Sequence, residues 1–104
     1  MLMTDRWADY LISHVRYRDA HISRVLAWED QGHSIGGGRQ LDRGQVLALL
    51  QDGRTIVAIS RVDGDARQWR PEAVVRLVRV QGSEFIRTDT EAHGRDHLGP
   101  VAVF

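Results

Sequence analysis

The chain contains no cysteine and no lysine, and each absence excludes a class of chemistry. Without cysteine there is no disulfide framework, no thiolate nucleophile and no zinc or iron–sulfur site built on cysteine. Without lysine, Schiff-base catalysis and a Walker-type phosphate loop are excluded as well. All 14 basic residues are therefore arginines, and they balance 14 acidic residues to a formal net charge of zero. Such a neutral chain lacks the basic footprint that is typical of nucleic-acid-binding domains.

Long apolar runs are also absent. No segment approaches the roughly 20 apolar residues that a membrane helix needs, and the first residues lack the basic-then-apolar order of a signal peptide. With 42% hydrophobic and 27% charged residues, the composition is that of an ordinary globular domain. We expect a cytoplasmic protein with a short polar leader, residues 1–9, followed by a single domain, residues 10–104.

Hydrophobic periodicity predicts five strands and one short helix in the order β-β-α-β-β-β. The helix, residues 43–51, is marked by Asp42 as N-cap, by Gln45 in the capping-box position and by Gly53 as the left-handed stop. Segments rich in β-branched and aromatic residues predict the strands. These are residues 10–17, 21–28, 55–62, 73–80 and 85–88.

Two segments without clear periodicity are predicted to be loops. The first, residues 29–40, contains Gly36, Gly37 and Gly38, and the second, residues 65–72, contains Pro71. The predicted fold class is α+β, with a curved, mainly antiparallel sheet and the helix packed on one face or across an open end. A strongly bent sheet of this kind approaches a small barrel.

The densest basic patch surrounds a tryptophan. Arginine beside a stacking aromatic ring is typical of contacts with single-stranded nucleic acid. The alternative interpretation is a surface loop whose Trp69 folds onto the body of the domain. The candidate binding residues are Arg67, Trp69, Arg70, Arg76 and Arg79.

The last residues, 98–104, are apolar, so we expect this tail to be tied into the core. Arg87 lies in the predicted strand 85–88 that precedes the tail, and it could either project into solvent or pair with a carboxylate such as Asp89 or Asp96. We favour the pairing, because a bidentate clamp of this kind would hold the tail in place.

Catalytic and metal-binding signals are weak. His93 and His97 are four residues apart, but Gly94 and the following Gly99-Pro100 argue against the helix that would bring two imidazoles to one metal. We therefore expect a solvated polar connector there and predict no cofactor or metal site. No nucleophile has a recognisable base beside it, so we expect a protein that is not an enzyme.

Several short motifs follow one another along the chain in a characteristic order. They are Ile12-Ser13-His14-Val15-Arg16, His21-Ile22, residues 45–50 running into Asp52-Gly53, Phe85-Ile86-Arg87-Thr88, and Asp96-His97-Leu98-Gly99-Pro100. In this order and spacing the chain resembles family 3892 of the bacterial domains of unknown function, from Tyr10 onward. The segment 65–72 looks longer than the family pattern. The resemblance implies a small stand-alone bacterial module and transfers no catalytic residue.

The expected function is a non-catalytic protein-interaction module. It would bind a protein partner, or a second copy of itself, through an open sheet edge or through the tail. The alternative is a module that contacts nucleic acid through the arginines and the tryptophan of residues 67–79.

Overall fold

The computed structural model describes residues 7–30, 35–62, 65–91 and 93–104. Most of the predicted leader lies outside these ranges, and within them the side chains of residues 35–36, 62 and 65–68 are not described. Within the described ranges the chain forms seven strands and one helix. They are β1 (Tyr10–Arg18), β2 (His21–Asp30), β3 (Ile35–Asp42), α1 (Arg43–Gln51), β4 (Ile56–Val62), β5 (Asp65–Val80), β6 (Ser83–Arg87) and β7 (Ala102–Val103).

The strands form one mixed sheet in the order β3-β2-β1-β4-β5-β6, with β7 paired to β1. Strand β1 is antiparallel to β2 along one edge, and two parallel partners share its other edge. Its first residues lie beside β4 and the pair His14 and Val15 lies beside β7. The remaining pairings are antiparallel. Because this path ends at β3 and at β6, the described sheet is open and does not close into a barrel.

The single helix has the ends that the sequence predicts. The side chain of Asp42 accepts a hydrogen bond from the backbone N–H of Gln45, and the Gln45 side chain accepts one from the backbone N–H of Asp42. At the other end Gly53 has a φ of +80°. There the N–H of Arg54 donates to the Leu49 carbonyl, which is the Schellman arrangement. The fold class, α+β with one short helix on a sheet, is confirmed.

Two apolar clusters lie on opposite faces of the sheet, because neighbouring strand residues point to opposite sides. The inner core lies under α1 and contains Val46 from the helix together with sheet residues such as Ile12, Val25 and Ala58. The other side, which we call the outer face, carries a smaller cluster. It consists of Ala8, Leu11, Val57 and Ile59, with Trp28 and Trp69 packed against it.

The prediction of a loop over residues 29–40 is wrong for residues 35–40, because strand β3 occupies Ile35–Asp42 and pairs with β2, and residues 29 and 30 end β2. Residues 31–34 of the predicted loop lie outside the described residues. Gly38 lies directly opposite Trp28, and a Cβ atom at Gly38 would come within 2.7 Å of the indole ring. The missing side chain thus leaves the space that the indole fills. A glycine-rich segment becomes a strand here because its neighbour supplies both the hydrogen bonds and the covering side chain.

The prediction of a loop over residues 65–72 is wrong as well, because β5 runs without interruption over Asp65–Val80. Pro71 is tolerated for two reasons. It lies beside a register shift, since Ala58 pairs with Ala73 and Ile59 with Pro71. In addition, this part of β5 pairs with β4 alone, whereas β6 pairs with residues 76–80. A proline on an edge beside a bulge costs no ladder hydrogen bond.

Among the described residues, the structure contains no helix that is both long enough and apolar enough to cross a membrane.

Candidate functional surfaces

The arginine patch predicted around residues 67–79 is divided by the fold. The side chain of Arg67 lies outside the described residues. Arg76 and Arg79 are exposed on β5 but are three residues apart on one strand, so they point to opposite sides of the sheet. Arg76 lies opposite Arg87 in the register, and Arg79 lies opposite Glu84. These two arginines therefore do not share one surface.

Arg70 and Trp69 also separate. The Nε of Arg70 lies 2.9 Å from a carboxylate oxygen of Glu72, which also accepts a hydrogen bond from the Ser60 hydroxyl. These two hydrogen bonds, that from Ser60 first, lower the pKa of Glu72. Trp69 is half-buried and packs on the outer face beside Arg61. Among the predicted binding residues whose side chains are described, Trp69 is the one that packs against Arg61 on the outer face.

Arg87 lies in the position proposed for the clamp, with a side chain only 4% exposed. Its Nε and one terminal nitrogen donate to the two carboxylate oxygens of Asp89, at 2.6 and 2.9 Å. Its other terminal nitrogen donates to the carbonyl of Arg95, at 3.0 Å. The guanidinium holds the pKa of Asp89 at about 2, and the carboxylate raises the pKa of Arg87 above its ordinary value. The three bonds connect the end of β6 to the segment that precedes the tail.

Asp96, which the sequence grouped with Arg87, has a different arginine partner. Its fully buried carboxylate accepts hydrogen bonds from the backbone N–H groups of Ile22 and Ile86, at 2.7 and 2.9 Å. The same carboxylate accepts two bonds from Arg43, at 2.7 and 3.2 Å. Asp96 thus joins β2, β6 and the first turn of α1. The sequence offered no signal for this pairing, since Arg43 and Asp96 are 53 residues apart.

The tail closes one edge of the sheet. The N–H of Thr88 donates to the His97 carbonyl and the N–H of His97 donates to the Ile86 carbonyl, so the tail continues the ladder beyond β6. Leu98 is fully buried, and its N–H donates to the hydroxyl of Tyr17. Burial raises the pKa of that hydroxyl. An open cavity of about 330 Å³ lies beside this junction, lined by Tyr17, Asp19, Ala20, Arg95, Asp96 and His97.

The opposite edge of the sheet is open. Among the described residues β3 pairs with β2 alone, and residues 37–40 of β3 are exposed. A groove of about 490 Å³ borders this edge on the helix side. Its lining combines apolar side chains with charged and polar ones. The lining residues are Arg39, Leu41, Gln45, Ala48, Leu49 and Asp52.

A serine and a histidine form a pair that sequence reasoning missed. Ser13 lies at a bulge in β1, and its hydroxyl is 2.8 Å from Nδ1 of the adjacent His14. The same hydroxyl accepts a hydrogen bond from the indole N–H of Trp28, at 2.8 Å. The Ser13 hydroxyl thus joins the indole of Trp28 to the imidazole of His14. With Ser13 only 1% exposed, this pair fixes the ring of His14 and does not present an accessible nucleophile.

His93 and His97 do not come together at a common site. His93 lies 3.2 Å from Glu91, while His97 contributes its backbone to the ladder with β6. Among the described residues, no group of three or more histidine and acidic side chains has the arrangement of a metal site.

Comparison of the chain with protein-family models, with curated proteins and with solved structures gives no match. The resemblance to family 3892 of the bacterial domains of unknown function stays a prediction.

Proposed function

We propose that the protein is a non-catalytic interaction module that binds an extended segment of a partner protein along β3. The observation that supports it is the contrast between the two sheet edges. The tail occupies the β6 edge, whereas the β3 edge is unpaired among the described residues and has an apolar groove beside it. An unpaired edge offers backbone N–H and C=O groups to another strand.

The groove supports a particular mode of binding. A segment that adds to β3 gains affinity from main-chain hydrogen bonds, and its alternate side chains point to the two sides of the sheet. On the helix side these side chains would meet the groove, whose apolar lining residues are Leu41, Ala48 and Leu49. Arg39 and Asp52 line the same groove with opposite charges. The preferred partner segment is therefore extended and carries an apolar residue flanked by polar ones.

The experiment starts from peptides selected on the protein from a random phage-displayed library. Backbone amide shifts recorded by NMR with a selected peptide are expected to change most at residues 37–40. Ala48→Phe fills the groove from an exposed helix position and is expected to weaken binding at least tenfold. Gln51→Phe, on the same helix but outside the groove, serves as the control and is expected to bind as the native protein does.

Two results would overturn the proposal. One is a selection whose peptides leave the β3 amides unchanged. The other is an Ala48→Phe protein that folds and binds the selected peptides with native affinity.

A cytoplasmic location, which the composition predicts, is part of the same proposal.

A further inference from the structure

A row of rings and guanidinium groups crosses the outer face, and we call it the outer ladder. Its members in spatial order are Arg61, Trp69, His14, Phe104 and Arg16. The Arg61 guanidinium carbon lies 4.5 Å from the centroid of the Trp69 ring, and that of Arg16 lies 4.7 Å from the centroid of the Phe104 ring. The His14 ring lies edge-on between the two aromatic rings, at 6.4 and 6.1 Å. The ladder thus has an arginine at each end and rings in between.

The backbone holds this row in place. Arg61 and Trp69 are direct partners in the β4–β5 ladder, so their side chains share one face. His14 lies beside Ala102 in the β1–β7 pairing, which brings Phe104 next to it. The hydrogen bond between the Ser13 hydroxyl and Nδ1 of His14 fixes the orientation of the His14 ring. Four separate strand segments therefore meet at one preorganised surface.

The two terminal arginines lack the close carboxylate partners that three other arginines have. Arg43, Arg70 and Arg87 each lie within 3 Å of a carboxylate oxygen. Among the described residues, neither Arg16 nor Arg61 has an aspartate or glutamate side chain at ion-pair distance. Arg16 is exposed and donates its Nε to the main-chain oxygen of Phe104 at 3.0 Å, and Arg61 is exposed as well. Although the chain is neutral overall, no acidic side chain of the described residues pairs with the two arginines of this surface.

We propose that the outer ladder binds single-stranded nucleic acid, with phosphates on the two arginines and bases stacked against the guanidinium groups and rings. Guanidinium planes and aromatic rings both serve as stacking surfaces for unpaired bases. Duplex bases are stacked on one another, so the faces that such groups need are free only in a single strand.

This surface is separate from the groove beside β3, so the inference stands without the function proposed above. An acidic protein segment is the competing ligand, because carboxylates also bind arginine. A carboxylate binds to arginine through the N–H groups in the plane of the guanidinium, whereas a base also stacks on the flat face of the guanidinium. Replacing arginine by lysine keeps the charge and removes the plane, which separates the two ligands.

The test measures fluorescence anisotropy of a labelled 12-nucleotide single strand, as DNA and as RNA, at low salt. The double variant Arg16→Ala/Arg61→Ala is expected to bind at least tenfold more weakly. Its salt dependence should fall by about 1.4 in the slope of log K against log salt, since each phosphate contact contributes about 0.7. The variant Arg16→Lys/Arg61→Lys should also bind several-fold more weakly. Arg54→Ala, an exposed arginine at the end of α1, is the control and should bind as the native protein does.

Three results would overturn the inference. The first is no binding of either strand at low salt. The second is native affinity in the folded double alanine variant. The third is a poly-glutamate peptide that binds as tightly as the oligonucleotides, with the lysine variant retaining native affinity for both, which would assign the ladder to an acidic protein partner. Circular dichroism of each variant confirms that it is folded before binding is measured.

Discussion

At the scale of single residues, the structure uses buried charge to fasten segments that are distant in sequence. Asp96 illustrates this most directly, because its carboxylate is fully buried and accepts four hydrogen bonds from three elements. A buried carboxylate is tolerated when each of its oxygens has donors, and it becomes costly when a donor is lost. Arg87 has the complementary arrangement, a buried cation whose carboxylate partner, Asp89, lies nearer the surface. Both charges lie at the junction between β6 and the tail, so this junction depends on ionisation.

The pair of Arg87 and Asp89 makes part of the stability depend on pH. The arginine holds the pKa of Asp89 at about 2, below the ordinary value of 3.8. A carboxyl whose pKa is lowered on folding stabilises the protein above its unfolded-state pKa, and that contribution is lost as the pH falls through the folded value. The unfolding free energy of Asp89→Asn is therefore expected to differ most from that of the native protein at neutral pH. The difference should shrink between about pH 4 and pH 2.

Urea unfolding at a series of pH values measures this difference. Asp52→Asn is the matched control, because Asp52 is exposed and its nearest arginine nitrogen is 3.5 Å away. The control should track the native protein across the range. A gap between Asp89→Asn and the native protein that stays constant from neutral pH to pH 2 would contradict the linkage.

At the scale of elements, the strands differ in what holds them in the sheet. The central strands β1 and β4 carry buried apolar residues on both faces, such as Leu11, Ile12, Val57 and Ala58. Among the described side chains of β3, Leu41 is the only one in the inner core, and the exposed residues 37–40 add no apolar side chain to the outer face. What fixes β3 is pairing with β2 and the indole of Trp28 above Gly38. That indole is itself fixed by its bond to Ser13.

Substitution of the two neighbouring glycines tests this account of β3. Gly38→Ala is expected to destabilise the protein by about 1–3 kcal/mol, because its Cβ would come within 2.7 Å of the Trp28 ring and force it to move. Gly37→Ala has open space around its Cβ and should be nearly neutral. Chemical unfolding of the two variants gives the comparison. Equal stability of the two variants would show that the position of the Trp28 ring does not require glycine at residue 38.

The same contrast shows how far the sequence predicts the elements. The helix ends follow from local signals at Asp42, Gln45 and Gly53, and the strong strands follow from β-branched residues. Strand β3 and the first part of β5 have no such signals, because a distant partner strand stabilises them. The outer ladder is unpredictable for the same reason. Arg61 and Trp69 meet through register, and Phe104 reaches His14 only because β7 lies beside β1.

At the scale of the whole molecule, the tail completes a core that begins near the N-terminal end of the domain. Leu98 and Val101 are buried in the inner core together with Ile12 from β1 and Val46 from α1. The three tryptophans are not part of the inner core. Trp28 and Trp69 pack on the outer face, and Trp7 is 40% exposed next to Ala8, which packs on that face. Tryptophan fluorescence therefore reports on a region that the tail residue Leu98 does not touch.

Leu98→Ala tests whether the tail and the outer face unfold as one unit. Removing a fully buried leucine side chain is expected to cost about 2–5 kcal/mol. Small single domains unfold cooperatively, so the urea midpoint should fall equally by tryptophan fluorescence and by circular dichroism. Val103→Ala, at a position that is 69% exposed, should leave both midpoints close to native. If fluorescence kept its native midpoint in Leu98→Ala while circular dichroism lost amplitude earlier, the tail would be a separate unit. If both urea midpoints instead fall together, the tail belongs to one cooperative unit with the rest of the sheet. Loss of the Leu98 contact then also destabilises the outer ladder and the β3 edge, because both surfaces are parts of that sheet.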